Sequence, residues 1–299
     1  MENPQSWISR LDELANHNDL VTRFAPSPTG YLHLGHIASA IITWSTAQRF
    51  NSKVLLRIED HDLGRCRAAY EKAILEDLEW LGIYPDGISY QRNNNQRYED
   101  HLQTLKDRSL IYNCECSRKI IKQTNLGPRK ELLYRGTCRS KELPVSNNGI
   151  RMKVIEKTIE FIDLRHGRVQ QTPAKQCGDL LLKDRDNQWT YQFSATVDDL
   201  VDGINLIIRG DDLLDSTGRQ IYLAEELGRK EQPIFLHHDL IVDDKGQKLS
   251  KRVHSTSIRQ LKEEGLSPSD IIGLAVYKMG LTSTHTPWQM ANLGDLLKL

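Results

Sequence analysis

Residues 21–47 have the sequence VTRFAPSPTGYLHLGHIASAIITWSTA, and this stretch indicates the fold class most clearly. We predict a strand over 21–25 and an apolar helix from Ile37 to about Ala47. The two prolines and the glycine that follows them require the chain to stop its strand and turn sharply. A helix that starts just after the carboxyl end of a strand is typical of ligand-binding loops in open α/β sheets. The stretch therefore predicts a ligand site at the start of this helix.

Two histidines, His33 and His36, lie three residues apart at the predicted helix start. Side chains at this spacing point the same way on a helix. The helix N-terminus offers free N–H groups and about half a positive charge, which suits a triphosphate. Gly35 between them lets a ligand approach the backbone. Taken alone, the motif is equally consistent with an ordinary helix cap and a packed histidine.

A second candidate phosphate-binding element lies far down the chain. Residues 248–252 have the sequence KLSKR and follow the turn residues 243–246, DDKG. Lysines on such a loop can stabilise the negative charge that develops on a departing pyrophosphate. By itself the loop could equally be a solvated basic turn.

The rest of the chain predicts an α/β protein with a parallel sheet. A strand at 53–58 precedes an amphipathic helix at 70–81, so strands and helices alternate. Residues 1–20 read as an N-terminal leader, 21–113 and 190–254 as the catalytic domain, and 114–189 as an inserted subdomain. Residues 255–299 read as a helical C-terminal region whose buried face comprises Ile258, Leu261, Ile271, Ile272, Leu274 and Ala275.

Composition restricts the kinds of partner and compartment. The chain has 299 residues, with 40 basic and 40 acidic side chains, so any nucleic-acid contact must be a local patch. It contains no apolar run long enough for a membrane span and no signal peptide, so we expect a cytoplasmic protein without membrane contact. Its five cysteines are then reduced thiols or metal ligands. We also expect a monomer.

The strings RFAPSPTGYLHLGH (residues 23–36) and KLSKR together resemble the HIGH and KMSKS motifs of class I aminoacyl-tRNA synthetases, in the form found in the glutamyl branch. RIEDHD (57–62), YQFSATVDD (191–199) and RGDDL (209–213) resemble further blocks of that branch. The resemblance implies a Rossmann-like catalytic domain that uses ATP with Mg²⁺. The residues it assigns to catalysis are His33, His36, Lys248 and Lys251. Those it assigns to ATP binding are Gly30, His33, Gly35, His36 and Lys251.

Charge also predicts the amino-acid substrate. A dicarboxylic amino acid needs two cationic partners and one anionic partner, which Arg23, Arg209 and Glu59 could provide. The resemblance implies that L-glutamate is bound by Arg23, Phe24, Ala25, Pro26, Ser27, Glu59, Tyr191 and Arg209. Each charged residue could instead belong to a structural salt bridge. Which arginine would bind which carboxylate stays open.

Three cysteines lie close together, with Cys114 and Cys116 followed by Tyr134 and then Cys138. Structural zinc takes four ligands, usually Cys or His, so three thiols leave one position open. The stretch resembles that of bacterial glutamyl-queuosine tRNA(Asp) synthetases, and the resemblance implies Zn²⁺ held by all four side chains in a zinc-bearing α/β subdomain. Three reduced cysteines without metal are the alternative.

The length after the KLSKR loop bears on the acceptor. Only 47 residues follow Arg252, about 70 Å even as a single helix, so we expect no anticodon-binding domain. Resemblance to the glutamyl-queuosine family then implies transfer of activated glutamate to the queuosine base of tRNA(Asp). The alternatives are a short glutamyl-tRNA synthetase that charges a 3′ end, a small-molecule nucleotidyltransferase, and a non-catalytic RNA-binding relic.

Overall fold

The computed structural model describes residues 5–62, 64–125, 131–241 and 256–297. Within these ranges the strands are β1 (Val21–Phe24), β2 (Lys53–Ile58), β3 (Gly87–Tyr90), β4 (Ile111–Cys114), β5 (Gly149–Met152), β6 (Ile159–Asp163), β7 (Gly167–Gln171), β8 (Leu180–Lys183), β9 (Leu206–Gly210) and β10 (Ile234–His238). The α-helices are α1 (Gln5–Ile8), α2 (Leu34–Phe50), α3 (Ala68–Trp80), α4 (Asn95–Asp107), α5 (Arg118–Thr124), α6 (Pro173–Gln176), α7 (Tyr191–Val201), α8 (Thr217–Glu226), α9 (Ile258–Glu263) and α10 (Pro268–Lys278).

Two sheets of mainly parallel strands form the central layer. One has the order β1-β2-β3 with all strands parallel, and the other has the order β7-β6-β10-β9 with only β7 antiparallel. The sheets meet at β1 and β9, where the Asn205 backbone N–H donates to the Val21 carbonyl at 3.1 Å. The Val21 N–H in turn donates to the Asn205 side chain at 2.8 Å. The predicted α/β architecture with a parallel sheet is confirmed.

The central helix α2 begins at Leu34, three residues earlier than its apolar run predicts. The difference arises because the His33 side chain caps the helix, a role that the apolar pattern does not reveal. Most of α2 is buried. It ends at Phe50 and is capped by Asn51, whose φ of 51° is left-handed and whose N–H donates to the Ala47 carbonyl.

The leader residues pack against the sheet. Ser9–Asn16 forms a 3-10 helix that follows α1, and its buried side chains are Leu11 and Leu14. These side chains, with Trp7 and Ile8, join a core cluster that includes residues of α2, β9 and β10. The first described segment is therefore part of the packed domain.

The predicted insertion, residues 114–189, is divided between two sheets. Strands β4, β5 and β8 form a separate antiparallel sheet. Strands β6 and β7 instead extend the parallel sheet beside β10, where the Leu164 N–H donates to the Phe235 carbonyl at 2.8 Å. Residues 159–171 thus differ from the expected boundary, because a pairing across about seventy positions leaves no local signal in the sequence.

The C-terminal segment is helical, as predicted. Helix α10 and the 3-10 helix Met290–Asp295 both pack on α2. The six residues expected on the buried face lie in this core, although Leu274 is only partly buried. In the part of the chain that the structure describes, no helix has the length and apolar character that crossing a membrane requires.

Candidate active site

A cavity of about 490 Å³ opens where β1, β9 and β10 reach their carboxyl ends. Ligands bind at this end of open α/β sheets, where strand order reverses. Ten of the residues predicted from sequence line the cavity: Arg23, Phe24, Ala25, Pro26, His33, Gly35, His36, Glu59, Tyr191 and Arg209. The fold therefore brings together residues that are up to 186 positions apart.

The two histidines form a reciprocal cap at the start of α2. The Gly35 N–H donates to His33 Nδ1, and the His33 N–H donates to His36 Nδ1, each at 3.1 Å. A ring nitrogen that accepts a hydrogen bond carries no proton, so the neutral form of each ring keeps its proton on Nε2. Both neutral rings can then donate from Nε2 to a phosphate oxygen.

Gly35 maintains this cap through its lack of a side chain. A Cβ at this position would lie 3.0 Å from two ring atoms of His33, Cε1 and Nδ1. A contact of 3.0 Å is tighter than nine in ten Cβ contacts in folded proteins, so a larger residue would displace the His33 ring by a few tenths of an ångström. The small size of Gly35 therefore allows the His33 imidazole to keep its position.

Arg23 is held by a buried network of charges on α7. Its Nε lies 3.0 Å from Asp199 Oδ1, and its Nη1 donates to the Ile208 carbonyl at 3.1 Å. Arg57 contacts the same Asp199 oxygen at 2.6 Å. Burial opposes ionisation of Asp199, but the two arginines lower its pKa to about 2. The charge of Arg23 is thus already compensated before any ligand binds.

Arg209 has a different environment, because its recorded partners are neutral groups. Arg209 donates from Nε to His237 Nε2 at 2.9 Å, from Nη1 to Gln220 Oε1 at 2.6 Å and from Nη2 to Thr217 Oγ1 at 2.8 Å. Among the described residues, none provides a carboxylate within ion-pair distance of this guanidinium. Burial lowers the pKa of Arg209. Within the described residues, Arg209 is therefore a buried cation of the cavity wall that has no direct ion pair.

Glu59 supplies a negative charge in the same cavity wall as Arg23 and Arg209. It follows β2 and is only 9% exposed. Burial raises the pKa of Glu59 to about 7, against the opposing effect of Arg57 and Arg23. Burial also raises the pKa of Tyr191, which keeps the phenol protonated and able to donate. An ionised Glu59 would favour a cationic ligand group beside the arginines.

Among the described residues that were predicted for this site, two do not line the cavity. Ser27 and Gly30 belong to the β1–α2 loop but are absent from the cavity wall. Lys248 and Lys251 lie outside the described residues. The segment that contains them follows Ile241, which lines the cavity, and precedes Ser257, whose backbone pairs with His33.

Several cavity residues were not predicted as site residues. They are Ser39, Ile208, Gly210, Asp212, Leu213, His238, Asp239, Leu240 and Ile241. Most of them follow the carboxyl ends of β9 and β10, a position that marks ligand sites in parallel sheets. This positional rule could have identified them, although their residue types carry no common chemical signal.

The cysteine cluster forms a second candidate site beside β4. Cys114 Sγ lies 3.2 Å from Tyr134 Oη, which lies 3.9 Å from Cys116 Sγ, and Cys116 Sγ lies 3.6 Å from Cys138 Sγ. With Zn–S near 2.3 Å and Zn–O near 2.0 Å, tetrahedral ligand atoms would lie about 3.5 to 3.8 Å apart. The three thiols and the phenol thus have the spacing of a metal site, and the cysteine cluster could hold a metal ion.

Two residues that sequence reasoning missed support this cluster. Arg151 donates from Nε to Cys114 Sγ at 3.3 Å, and its guanidinium lies 3.9 Å from the Tyr134 ring centroid. Burial raises the pKa of Tyr134, so a nearby cation is needed to favour the phenolate. Gly178 has a φ of 70°, and a Cβ there would lie 1.8 Å from the Tyr134 carbonyl. It allows the backbone at Tyr134 to pair closely with the segment before β8.

Comparison with known proteins agrees with this geometry. The chain matches the family described as tRNA synthetases class I (E and Q), catalytic domain, over residues 19–291. It is 40% identical to the glutamyl-Q tRNA(Asp) synthetase of Acinetobacter baylyi over 79% of this chain and 78% of that protein. It is 37% identical to glutamate–tRNA ligase 2 of Halorhodospira halophila, over 93% of this chain but only 60% of that protein.

A crystal structure of glutamate-tRNA synthetase from Elizabethkingia anophelis has a similar fold. Its TM-score is 0.77 at 25% identity, and the match covers 94% of this chain and 67% of that one. The chain therefore belongs to the glutamyl and glutaminyl (E and Q) family of class I tRNA synthetase catalytic domains, a family of ATP-dependent ligases.

Proposed function

We propose that this protein activates L-glutamate with ATP and Mg²⁺, without tRNA, and then transfers glutamate to the queuosine base in the anticodon of tRNA(Asp). The proposal has two parts. Activation is supported by the charges and hydrogen-bond donors of the main cavity. The choice of acceptor is supported by similarity to proteins named for it.

The activation proposal rests on Arg209, a buried cation that has no direct ion pair with a described residue. A buried guanidinium whose direct partners are neutral favours an anionic ligand, because a carboxylate would compensate its charge. Arg23 lines the same cavity, and none of the described residues takes a hydrogen bond from its Nη2. Glu59 adds one negative charge. Of the five charged residues in the cavity wall, Arg23, Arg209 and Glu59 complement the two carboxylates and the ammonium group of glutamate.

The geometry at α2 suits the reaction of that amino acid with ATP. A carboxylate oxygen of glutamate would attack the α-phosphorus, forming a new P–O bond as the bond to the bridging oxygen breaks and pyrophosphate leaves. The nucleophile is already ionised, so no general base is needed, and catalysis is positioning and charge stabilisation. His33 and His36 would donate to phosphate oxygens from Nε2. Lys248 and Lys251 remain the predicted partners of the pyrophosphate.

Transfer to queuosine is the second step of the proposal. A hydroxyl of the cyclopentene-diol would attack the activated carbonyl and lose its proton to solvent. An ester bond would form as the bond between the carbonyl carbon and the phosphate oxygen breaks, and AMP would leave. The Acinetobacter baylyi protein, named for this acceptor, supports the choice at 40% identity. The second candidate is charging of a tRNA 3′ end, which the similar Halorhodospira halophila ligase supports at 37% identity.

We further propose that Cys114, Cys116, Tyr134 and Cys138 hold one structural Zn²⁺. The donor distances and the thiol-rich ligand set suit zinc better than a hard cation, which prefers oxygen. The ion would tie β4 to the segment at Tyr134 and Cys138. Its contribution would be to stability and not to the chemical step.

Pyrophosphate exchange tests the activation step directly. Purified protein with Mg²⁺, ATP and labelled pyrophosphate should incorporate label into ATP when glutamate is added, with no tRNA present. Arg209→Gln should abolish the exchange, whereas Arg65→Gln, at a 77% exposed side chain, should preserve it. Absence of glutamate-dependent exchange in the zinc-supplied native protein would exclude the activation proposal.

A further inference from the structure

The guanidinium of Arg209 is held by a short chain of buried side chains that begins at Asp163. Asp163 Oδ2 lies 2.7 Å from His237 Nδ1, and Arg209 Nε lies 2.9 Å from His237 Nε2. Asp163 and His237 have no exposed surface, and Arg209 is 5% exposed. We propose that His237 is a positioning residue for Arg209 and that Asp163 fixes the tautomer in which His237 acts.

The hydrogen bonds to Asp163 determine which His237 nitrogen carries the proton. Oδ1 accepts the backbone N–H groups of Arg165 and His166, each at 2.9 Å. Oδ2 accepts the backbone N–H of His237 at 3.1 Å. A carboxyl group surrounded by donors is an ionised acceptor, so the remaining partner, Nδ1 of His237, must donate its proton.

The other ring nitrogen then has only a lone pair to offer. Arg209 Nε can only donate, so His237 Nε2 must accept, and a second ring proton would face the guanidinium. Thr217 Oγ1 lies 3.1 Å from the same Nε2 and accepts a hydrogen bond from Arg209 Nη2 at 2.8 Å. Burial lowers the pKa of His237, which also favours the neutral ring. The ring is thus neutral, with its proton on Nδ1.

This arrangement explains why a histidine separates the arginine from the aspartate. A carboxylate in direct contact would orient Arg209 but would also compensate its charge, as Asp199 does for Arg23. The neutral imidazole orients the guanidinium and leaves its charge for the substrate. Nη1 and Nη2 each carry a second hydrogen, which can serve the neighbouring Tyr191 phenol or a ligand. This functional role rests on the proposed binding of glutamate by Arg209.

Two substitutions separate positioning from general packing. His237→Gln can place an amide oxygen near the Nε2 position and so preserve the acceptor for Arg209. His237→Asn can place an amide nitrogen near Nδ1 but has no atom near Nε2. We expect His237→Asn to raise the KM for glutamate about 10- to 100-fold, the loss expected for a hydrogen bond to a charged group, with the KM for ATP and kcat little changed. His237→Gln should recover most of the loss.

Equal effects of the two variants on glutamate and ATP would overturn the positioning role. Because either variant could fold poorly, a measurement on the native protein is also needed. In protein labelled with ¹⁵N-histidine, two-bond ¹H–¹⁵N correlations identify the tautomer of each ring. The His237 resonance, assigned by its absence from the His237→Gln spectrum, should show a protonated Nδ1 and a bare Nε2 between about pH 6 and pH 8.

Either the opposite tautomer or an imidazolium ring between about pH 6 and pH 8 would refute the positioning role of His237. If His237→Gln does not fold, the His237 resonance can be assigned instead as the one that shifts in Thr217→Val, because Thr217 Oγ1 lies 3.1 Å from His237 Nε2. The tautomer is read without any substrate. A native protein that lacks glutamate-dependent exchange would therefore refute the proposed function alone. The NMR result would still test whether Asp163 fixes the tautomer of His237.

Discussion

The Nε of Arg23 lies 3.0 Å from Oδ1 of Asp199, and both side chains are at most 8% exposed. The same oxygen contacts a second buried arginine, Arg57, at 2.6 Å. One carboxylate on α7 thus connects two strands, β1 and β2, of the sheet that forms the cavity. The ion pair is a structural link that uses Nε of Arg23, and it leaves Nη2 of Arg23 to donate to a ligand.

Asp199→Asn should destabilise the protein by about 3–5 kcal/mol, because it leaves two buried arginines without this charge. Urea unfolding measures the change. Asp62→Asn, which removes an ion pair to the exposed Arg65, should change the free energy of unfolding by less than about 1 kcal/mol. Equal effects of the two variants would contradict a stabilising role of the network.

The same aspartate predicts a pH dependence of stability. The pKa of Asp199 is lowered from 3.8 to about 2 in the folded protein. A group with a depressed folded pKa stabilises above its unfolded value, and this contribution is lost as the pH falls through the folded value. The native protein should therefore lose stability between about pH 4 and pH 2 more steeply than Asp199→Asn. Parallel acid unfolding curves would count against the assignment.

Glu59 should make glutamate use depend on pH near neutrality. Its pKa is about 7, so the fraction of ionised carboxylate falls about tenfold from pH 8 to pH 6. Only the ionised form attracts the substrate ammonium, so kcat/KM for glutamate should fall about tenfold over this range. The value for ATP at saturating glutamate serves as the control. A flat profile for glutamate, or the same profile in Glu59→Gln, would show that this carboxylate does not bind the ammonium.

Gly35→Ala should impair activation by displacing the His33 ring. The added Cβ would lie 3.0 Å from two atoms of that ring, and loss of the cap costs about 1 kcal/mol. We expect the pyrophosphate exchange rate to fall tenfold or more, about 1.4 kcal/mol in the barrier. Gly64→Ala, whose nearest atom, at 3.4 Å, is a side-chain oxygen, should retain the native rate. A native exchange rate in Gly35→Ala would disprove the requirement.

The cysteine cluster predicts one zinc ion per chain. Elemental analysis of purified protein should give about one equivalent, and Cys116→Ser should remove most of it together with several degrees of Tm. Cys177→Ser, at a cysteine outside the cluster, is the matched control. Tyr134→Phe tests the fourth ligand and should weaken zinc binding while preserving the ring. Full zinc content in Cys116→Ser would exclude the proposed ligand set.

Local patterns predicted much of this molecule. The strand at 53–58 has the observed bounds, and the observed helix α3 is displaced by at most two residues from the predicted 70–81. Periodicity and turn residues suffice there because the structure is set by near neighbours. The spacing of the three cysteines indicated that they lie together, whereas the place of Tyr134 beside them was implied only by resemblance to known proteins.

Other features depend on contacts that are distant in sequence. Strand β6 joins the parallel sheet through β10. Asp163 contacts His237, 74 positions away, and His237 in turn contacts Arg209. Neither pairing has a local pattern, since any buried strand could take either place. Likewise, Arg23 has a direct ion pair and Arg209 has none with a described residue. This difference can be recognised only from the residues that surround each arginine in the fold. The roles predicted for Lys248 and Lys251 stay predictions.

The position of the transferred glutamate tests the central claim most directly. Native protein should be incubated with labelled glutamate, ATP and tRNA(Asp) that contains queuosine, and the tRNA should then be cut into fragments. If glutamate is transferred to queuosine, we expect label on the anticodon-loop fragment and none on tRNA(Asp) that lacks queuosine. Label confined to the 3′ terminal adenosine would contradict this transfer and identify a tRNA-charging enzyme instead.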